Sequence, residues 1–174
     1  MKSKKSYLCN TPRTDMLYLA YGSNLNRAQM LDRCPTSVPV RRVAMRNWTL
    51  VFRGVADIER RERSVVEGAL YRVTSADVAS LDRYEGVRSG KYEPVTIRLP
   101  ETDDTAFFYV QTRKVAPHRP TEDYFSVVMD GFADWNIPLR TLTAALKGAS
   151  DAEEALQQYE PHCSAFEGDQ AILA

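Results

Sequence analysis

The most constraining feature of this chain is an apolar segment that runs directly into a short turn of small and polar residues. Residues 16–20 predict a strand, and Gly22, Ser23 and Asn24 follow at once. Gly22 permits the positive φ that a sharp turn from strand to helix can need, and Asn24 or Asn26 can cap the helix. Such a turn leaves several backbone N–H groups unpaired, which favours an anion or oxyanion site. The alternative is a turn without any function.

The bulk composition is typical of one globular domain. The chain has 174 residues, of which 44% are hydrophobic and 26% charged, so it can bury a core and is too apolar for disorder. Its 23 basic and 23 acidic residues balance, which argues against nucleic acid or an anionic membrane as the main partner. No segment approaches the roughly 18 apolar residues that predict a membrane span.

The ends of the chain and its cysteines indicate a cytoplasmic protein. Residues 1–15 are polar and lack the apolar middle of a signal peptide, so we interpret them as a flexible leader. Cys9, Cys34 and Cys163 are odd in number and widely spaced, which favours reduced thiols over a disulfide framework.

The two histidines, His118 and His162, exclude some classes of site. Neither has a partner at the spacing of a metal ligand, so a structural metal is not expected. Ser23 lies in Tyr-Gly-Ser-Asn-Leu, which lacks the second glycine of a Gly-x-Ser-x-Gly nucleophile elbow, so a Ser-His-Asp hydrolase is poorly supported.

The first two thirds of the chain predict mainly strands. Residues 38–53 and 65–73 have the composition of strands, and Gly68 is expected to mark a bulge or a close approach of another backbone. The charged run at 59–63 lies within residues 54–64, which we predict to be a solvated loop.

A helix is expected next, capped by Thr74 or Ser75 and ending at Glu85-Gly86. Its apolar face is predicted to consist of Val78, Leu81 and Tyr84.

Further strands and helices complete the predicted order. Residues 92–99 and 105–112 predict a hairpin, and a helix is expected over 121–133. A second helix is expected to end at Gly148, and a capping-box pattern at Ser150 predicts a last short helix. Short connections between neighbouring strands favour a mostly antiparallel or mixed sheet. We therefore predict an α+β fold, a small curled mixed sheet or barrel with flanking helices.

Glu85 is the second informative residue. A carboxylate at a helix C-terminus is disfavoured by the helix dipole, and the apolar neighbours Leu81 and Tyr84 suggest partial burial. Both effects raise the pKa of a carboxyl group, as a proton shuttle near neutral pH requires. The alternative is an exposed glutamate paired with Arg83 or Arg88.

Several segments resemble the γ-glutamylcyclotransferase-like family. Residues 21–25 read Tyr-Gly-Ser-Asn-Leu, the family signature, and residues 81–87 resemble its Leu-Asp-x-x-Glu-Gly-Val segment. Residues 89–92 match its Ser-Gly-x-Tyr, residues 120–124 its Pro-x-x-x-Tyr, and residues 136–138 its aliphatic-Pro stop. The order and spacing agree from about residue 16 to residue 148.

The resemblance implies a fold and a reaction. The fold is a curled mixed sheet of barrel type with flanking helices. In the reaction, the α-amino group of a γ-glutamyl amine or γ-glutamyl amino acid attacks its own γ-carbonyl carbon, and 5-oxoproline and the free amine result. Because the attack is intramolecular, no cofactor is implied, and the partner is a small molecule. This would place the chain in the metabolism of γ-glutamyl peptides such as glutathione.

The resemblance also implies roles for particular residues. Glu85 would be the general acid and base. The backbone N–H groups around Gly22, Ser23, Asn24 and Leu25 would hold the anionic part of the substrate. Tyr21 would shape the pocket. Tyr124 would offer a hydroxyl to the substrate or to Glu85, unless it packs in the core.

Some alternatives stay open at this point. Residues 53–58 fit the family's Gly-x-Ala-x-Ile segment loosely, and Asp57, Glu59 or Glu62 could attract a basic leaving group. A non-catalytic module of the same fold that binds a γ-glutamyl group or a carboxylate is the main alternative to an enzyme. The expected organisation is a leader over 1–15, the family domain over 16–148 and a C-terminal helix and tail over 149–174, as a monomer or homodimer.

Overall fold

The computed structural model describes residues 15–99 and 102–158. The predicted leader, except for Asp15, therefore lies outside the described residues. The tail from residue 159 onward and residues 100–101 of the predicted hairpin connection also lie outside them.

In the described part of the chain, five strands form one mixed sheet, as predicted. They are β1 (Met16–Ala20), β2 (Val38–Phe52), β3 (Ala56–Val73), β4 (Tyr92–Arg98) and β5 (Thr105–Gln111). Their order is β2-β3-β1-β5-β4. Only β1 and β5 are parallel among these pairs, with Tyr18 opposite Phe107, and the other neighbours are antiparallel. The α+β prediction of a curled mixed sheet is confirmed.

The predicted loop over residues 54–64 is wrong, because most of it belongs to β3. Strands β2 and β3 form one long hairpin in which Trp48 lies opposite Arg60 and Phe52 opposite Ala56. The charged side chains of this run are largely exposed, as expected, yet their backbone pairs with β2. An antiparallel strand tolerates charge on a solvated face. The Arg60 guanidinium also stacks 4.2 Å from the centre of the Trp48 ring.

Within residues 15–99 and 102–158, four α-helices flank the sheet: α1 (Arg27–Arg33), α2 (Ser75–Glu85), α3 (Glu122–Asp134) and α4 (Arg140–Gln158). Asn26 caps α1 by accepting a hydrogen bond from the N–H of Gln29. Thr74 caps α2 in a capping box with Asp77, and Gly86 ends α2 with a φ of 67°. The predicted limits of α2 are therefore confirmed.

Helix α4 differs from the prediction because it continues through Gly148 and Ser150. The Ser150 hydroxyl donates to the carbonyl oxygen of Leu146 at 3.0 Å, one turn earlier, so it does not cap a new helix. Glu153, the glutamate of the predicted capping box, instead accepts a hydrogen bond from the N–H of Arg119 at 2.8 Å.

Two further predictions concern packing. Gly68 marks a close approach, since a Cβ there would lie 2.5 Å from the carbonyl oxygen of Ala20 on β1. Leu81 is fully buried, but Tyr84 is 52% exposed and does not belong to the core. Instead, the Arg33 guanidinium lies over the Tyr84 ring, 3.3 Å from its centre. In the part of the chain that the structure describes, no helix has both the length and the hydropathy of a membrane span.

Candidate active site

A cavity of about 250 Å³ opens where the turn after β1 meets the end of α2, β5 and the start of α3. Among the described residues, six that line it are tyrosines, and Glu85 contributes the one carboxyl group of this lining. The full lining is Tyr18, Tyr21, Gly22, Ser23, Asn24, Val55, Ala56, Tyr84, Glu85, Lys91, Tyr92, Tyr109 and Tyr124.

The turn after β1 is a single 3-10 turn over Ser23–Leu25. The N–H of Leu25 donates to the carbonyl oxygen of Gly22 at 2.9 Å, and the Leu25 side chain is fully buried. Leu25 therefore lies outside the cavity lining, with its N–H already paired. Within residues 15–99 and 102–158, the N–H groups of Gly22 and Asn24 donate to no protein acceptor, so they are available at the cavity wall.

Helix α3 supports this turn from behind. The indole N–H of Trp135 donates to the carbonyl oxygen of Leu25 at 2.9 Å. Gly131 lies so close to the turn that a Cβ there would be 2.5 Å from the backbone nitrogen of Asn26. The turn is thus held rigidly by its packing, which favours precise placement of its N–H groups.

Asn24 connects the turn to the end of α2. Its buried side-chain amide donates to the Tyr18 hydroxyl at 2.7 Å and to Oε1 of Glu85 at 3.2 Å. Its carbonyl oxygen accepts a hydrogen bond from the Arg33 guanidinium. All donors and acceptors of the side chain face one polar network, which fixes the carboxyl group of Glu85 at the cavity wall.

Burial raises the pKa of Glu85 to about 7, and the charges of Arg33 and Lys91 and the hydrogen bond from Asn24 partly oppose this rise. The alternative of an exposed glutamate paired with Arg83 or Arg88 is wrong. Glu85 is partly buried and forms no ion pair with either arginine in the described structure. A carboxyl group with a pKa near neutrality can both accept and donate a proton.

The two predicted tyrosines both line the cavity. The Tyr21 hydroxyl donates to the carbonyl oxygen of Tyr109 at 2.6 Å, which holds its ring in the wall. The Tyr124 hydroxyl accepts a hydrogen bond from the N–H of Ala56 at 3.1 Å. Burial raises the pKa of both hydroxyl groups, so they stay protonated at neutral pH. Tyr124 therefore reaches the cavity instead of packing only in the core.

The suggestion that Asp57 attracts a basic leaving group is wrong, because its carboxylate is already bound. Asp57 is fully buried and lies outside the cavity lining. Its oxygens pair with the Arg53 guanidinium at 2.9 Å and the Lys114 ammonium at 2.8 Å, and accept from the N–H of Gln111 at 3.1 Å. Glu59 also pairs with Arg53 at 2.6 Å through one oxygen, and like Asp57 it lies outside the cavity lining.

A second cavity of about 700 Å³ is lined by residues of all five strands and of α2, and it shares only Tyr109 with the first cavity among its lining residues. It is lined by a mixture of apolar and oppositely charged side chains, including Leu17, Arg41 and Asp82. It contains neither the turn after β1 nor Glu85, so the smaller cavity is the candidate active site.

The sequence did not indicate several residues of the smaller cavity. Tyr18, Tyr92 and Tyr109 come from three different strands, and their gathering depends on strand order. Arg33 reaches the network from the end of α1. The signal that could have revealed Lys91 is its position within the Ser-Gly-Lys-Tyr segment that follows Glu85.

Comparisons with known proteins agree with this fold. Residues 65–141 match the model of the AIG2-like family. A γ-glutamylcyclotransferase of Bos taurus is 28% identical over 137 residues, which cover 71% of this chain and 73% of that protein.

Two solved structures have the same fold. A γ-glutamyl cyclotransferase matches with a TM-score of 0.65 and 20% identity, covering 83% of this chain and 99% of that one. YkqA from Bacillus subtilis matches with a TM-score of 0.68 and 21% identity, covering 80% of this chain and 56% of that one. The fold is therefore that of the γ-glutamylcyclotransferases, and the resemblance to the γ-glutamylcyclotransferase-like family is confirmed.

Proposed function

We propose that this protein converts a γ-glutamyl amine or γ-glutamyl amino acid to 5-oxoproline and the free amine. The observation that carries the proposal is the position of Glu85. Its carboxyl group, with a pKa raised to about 7, lies in a small cavity beside the turn whose Gly22 and Asn24 N–H groups are unpaired. The similarity to γ-glutamylcyclotransferases supports the same reaction class.

The proposed reaction needs only proton transfers and the correct substrate geometry. The carboxylate of Glu85 takes a proton from the substrate's α-ammonium group, and the freed nitrogen lone pair attacks the γ-carbonyl carbon. Glu85 then gives a proton to the leaving nitrogen as its bond to that carbon breaks. The attacking nitrogen loses a second proton as the lactam forms, which balances the protonation of the released amine.

The turn and the tyrosines have supporting roles in this proposal. The unpaired N–H groups of Gly22 and Asn24, on either side of Ser23, stabilise negative charge on the substrate or on the tetrahedral intermediate. Tyr21 and Tyr124 close the wall and exclude water, which strengthens these interactions. The cavity volume of about 250 Å³ suits a small substrate of dipeptide size.

The direct test is release of 5-oxoproline by the wild type and by Glu85→Gln. The panel comprises γ-glutamyl amino acids, glutathione, γ-glutamyl-ε-lysine and simple γ-glutamyl amines. Glutamine keeps the shape and the hydrogen bond with Asn24 but cannot carry a proton, so we expect turnover to fall about 10²–10⁴-fold. Near wild-type turnover in a folded Glu85→Gln protein would contradict the assignment of Glu85.

The same experiment examines the alternative of a non-catalytic binding module. Such a module would bind a γ-glutamyl compound and release it unchanged, and the bound compound would raise the melting temperature of the protein. A carboxylate beside the site could bind the substrate's α-ammonium group without any catalysis. A carboxyl group with a pKa of about 7, however, can both accept and donate a proton near neutral pH, and for this reason the catalytic proposal is favoured.

A further inference from the structure

One lysine lies in the wall of the small cavity, close to Glu85. Lys91 follows the 3-10 turn Val87–Ser89 and precedes β4, and its side chain is exposed at the rim. In the described part of the chain, its ammonium group forms no ion pair with a carboxylate. Among the described residues that line the cavity, Glu85 contributes the carboxyl group that interacts electrostatically with this ammonium group, and no other carboxylate lies beside it in the lining.

The backbone holds Lys91 in a defined position. Its N–H donates to the carbonyl oxygen of Gly86 at 3.1 Å, and its carbonyl oxygen accepts from the N–H of Thr112 at 3.2 Å. A Cβ on Gly86 would lie 3.2 Å from Cβ and 3.6 Å from Cδ of Lys91. The aliphatic stem of Lys91 therefore packs along Gly86, the residue that follows Glu85. The lowering of the Glu85 pKa by the Lys91 charge agrees with this proximity.

The substrate chemistry indicates which group this ammonium would meet. In the proposed reaction the α-ammonium group of the glutamyl unit lies at Glu85, beside Asn24. The α-carboxylate of the same unit then faces the turn after β1. The leaving group is attached at the opposite end of the reacting chain and extends toward the open rim. A leaving amino acid differs from a leaving simple amine in carrying a carboxylate, and a lysine at the rim can bind that group.

We propose that Lys91 binds the carboxylate of the leaving amino acid, so that γ-glutamyl amino acids are preferred over γ-glutamyl amines. This inference rests on the proposed function and names the substrate class of the same site. Lys91 is in this view a specificity-determining residue that does not itself transfer a proton, although its charge lowers the pKa of Glu85.

The test compares two substrates that differ only in this charge, γ-glutamyl-alanine and γ-glutamyl-alaninamide. We expect the wild type to favour the acid in kcat/KM by about tenfold or more, as the loss of one charge-assisted hydrogen bond predicts. In Lys91→Met, which keeps the stem and removes the charge, this ratio falls toward one through a higher KM for the acid. Lys91→Arg retains the preference.

Arg88→Met is the matched control, because Arg88 is an exposed cation on the preceding turn and lies outside the cavity lining. We expect it to leave the ratio unchanged. Turnover of both substrates with the same ratio in the wild type and Lys91→Met would overturn this inference alone. An equal fall of the acid-to-amide ratio of kcat/KM in Arg88→Met would overturn it too. The preference would then depend on the net charge of the protein and not on the position of Lys91. Absence of 5-oxoproline from every compound of the panel would overturn the proposed function, and this inference with it.

Discussion

The side-chain amide of Asn24 donates a hydrogen bond to Oε1 of Glu85, with 3.2 Å between nitrogen and oxygen. The two residues are 61 positions apart, one in the turn after β1 and the other at the end of α2. The bond favours the ionised form of Glu85 and opposes the effect of burial. A residue of the proposed anion-binding turn therefore also adjusts the proton affinity of the proposed base.

The first prediction concerns the pH dependence of turnover. Because Glu85 must be ionised to accept a proton, kcat/KM is expected to rise with pH with an apparent pKa near 7. Asn24→Ala removes a hydrogen bond that favours the carboxylate, so this limb should move to higher pH. The measurement is kcat/KM from pH 5 to pH 9 for both proteins. An unmoved limb in a folded variant would show that Asn24 does not influence the titrating group.

The second prediction concerns stability. The pKa of Glu85 is raised from 4.5 to about 7 in the folded protein, so the folded state binds more protons than the unfolded state between these values. The stabilising contribution is complete below about pH 4.5 and is lost as the pH rises through 7. Glu85→Gln lacks this titration. As the pH rises from 4.5 to 7, the melting temperature of Glu85→Gln should therefore increase relative to that of the wild type. A difference in melting temperature that stays constant over this range would contradict the raised pKa of Glu85.

The third prediction compares two helical glycines. A Cβ at Gly131 would lie 2.5 Å from the backbone nitrogen of Asn26, whereas a Cβ at Gly148 meets nothing within 4 Å. Gly131→Ala should destabilise the protein by about 1–3 kcal/mol or more and displace the turn, lowering turnover as well. Gly148→Ala should stabilise α4 by up to about 1 kcal/mol without affecting turnover. Urea unfolding of both variants measures the two changes in the free energy of unfolding. Equal changes would contradict this prediction.

The fourth prediction concerns the buried charges around Asp57. Asp57→Asn removes the negative charge between Arg53 and Lys114 and leaves the buried Arg53 guanidinium without full compensation. We expect a loss of about 3–5 kcal/mol in the free energy of unfolding. The ranking of γ-glutamyl substrates should not change, because Asp57 lies outside the cavity lining. A changed ranking with unchanged stability would show instead that Asp57 faces the leaving group.

The parts of the fold that the sequence predicts well depend on neighbouring residues. The limits of α2 follow from Thr74 and Asp77 at one end and Gly86 at the other, because capping and the left-handed C-terminal residue act within a few positions. The sequence predicts the direction of the Glu85 pKa shift, but the structure shows that burial is its largest cause, and that burial depends on residues of other elements.

The parts that the sequence misses depend on distant partners. The charges of residues 59–63 predict a loop, but this segment is a strand because β2 supplies its backbone hydrogen bonds. The pattern at Ser150 predicts a helix cap, but Glu153 binds the backbone of Arg119 instead. The tyrosines of the cavity come from separate strands and helices, and local periodicity contains no information about their meeting.

The parallel pairing of β1 with β5 has a consequence for how the cavity forms during folding. Hairpins β2–β3 and β4–β5 join neighbours in the chain, whereas β1 and β5 meet across almost ninety residues, as between Tyr18 and Phe107. Contacts of such long sequence separation form slowly. Tyr18 of β1 and Tyr109 of β5 both line the cavity, so in a refolding chain we expect the cavity to be completed after the two hairpins have formed.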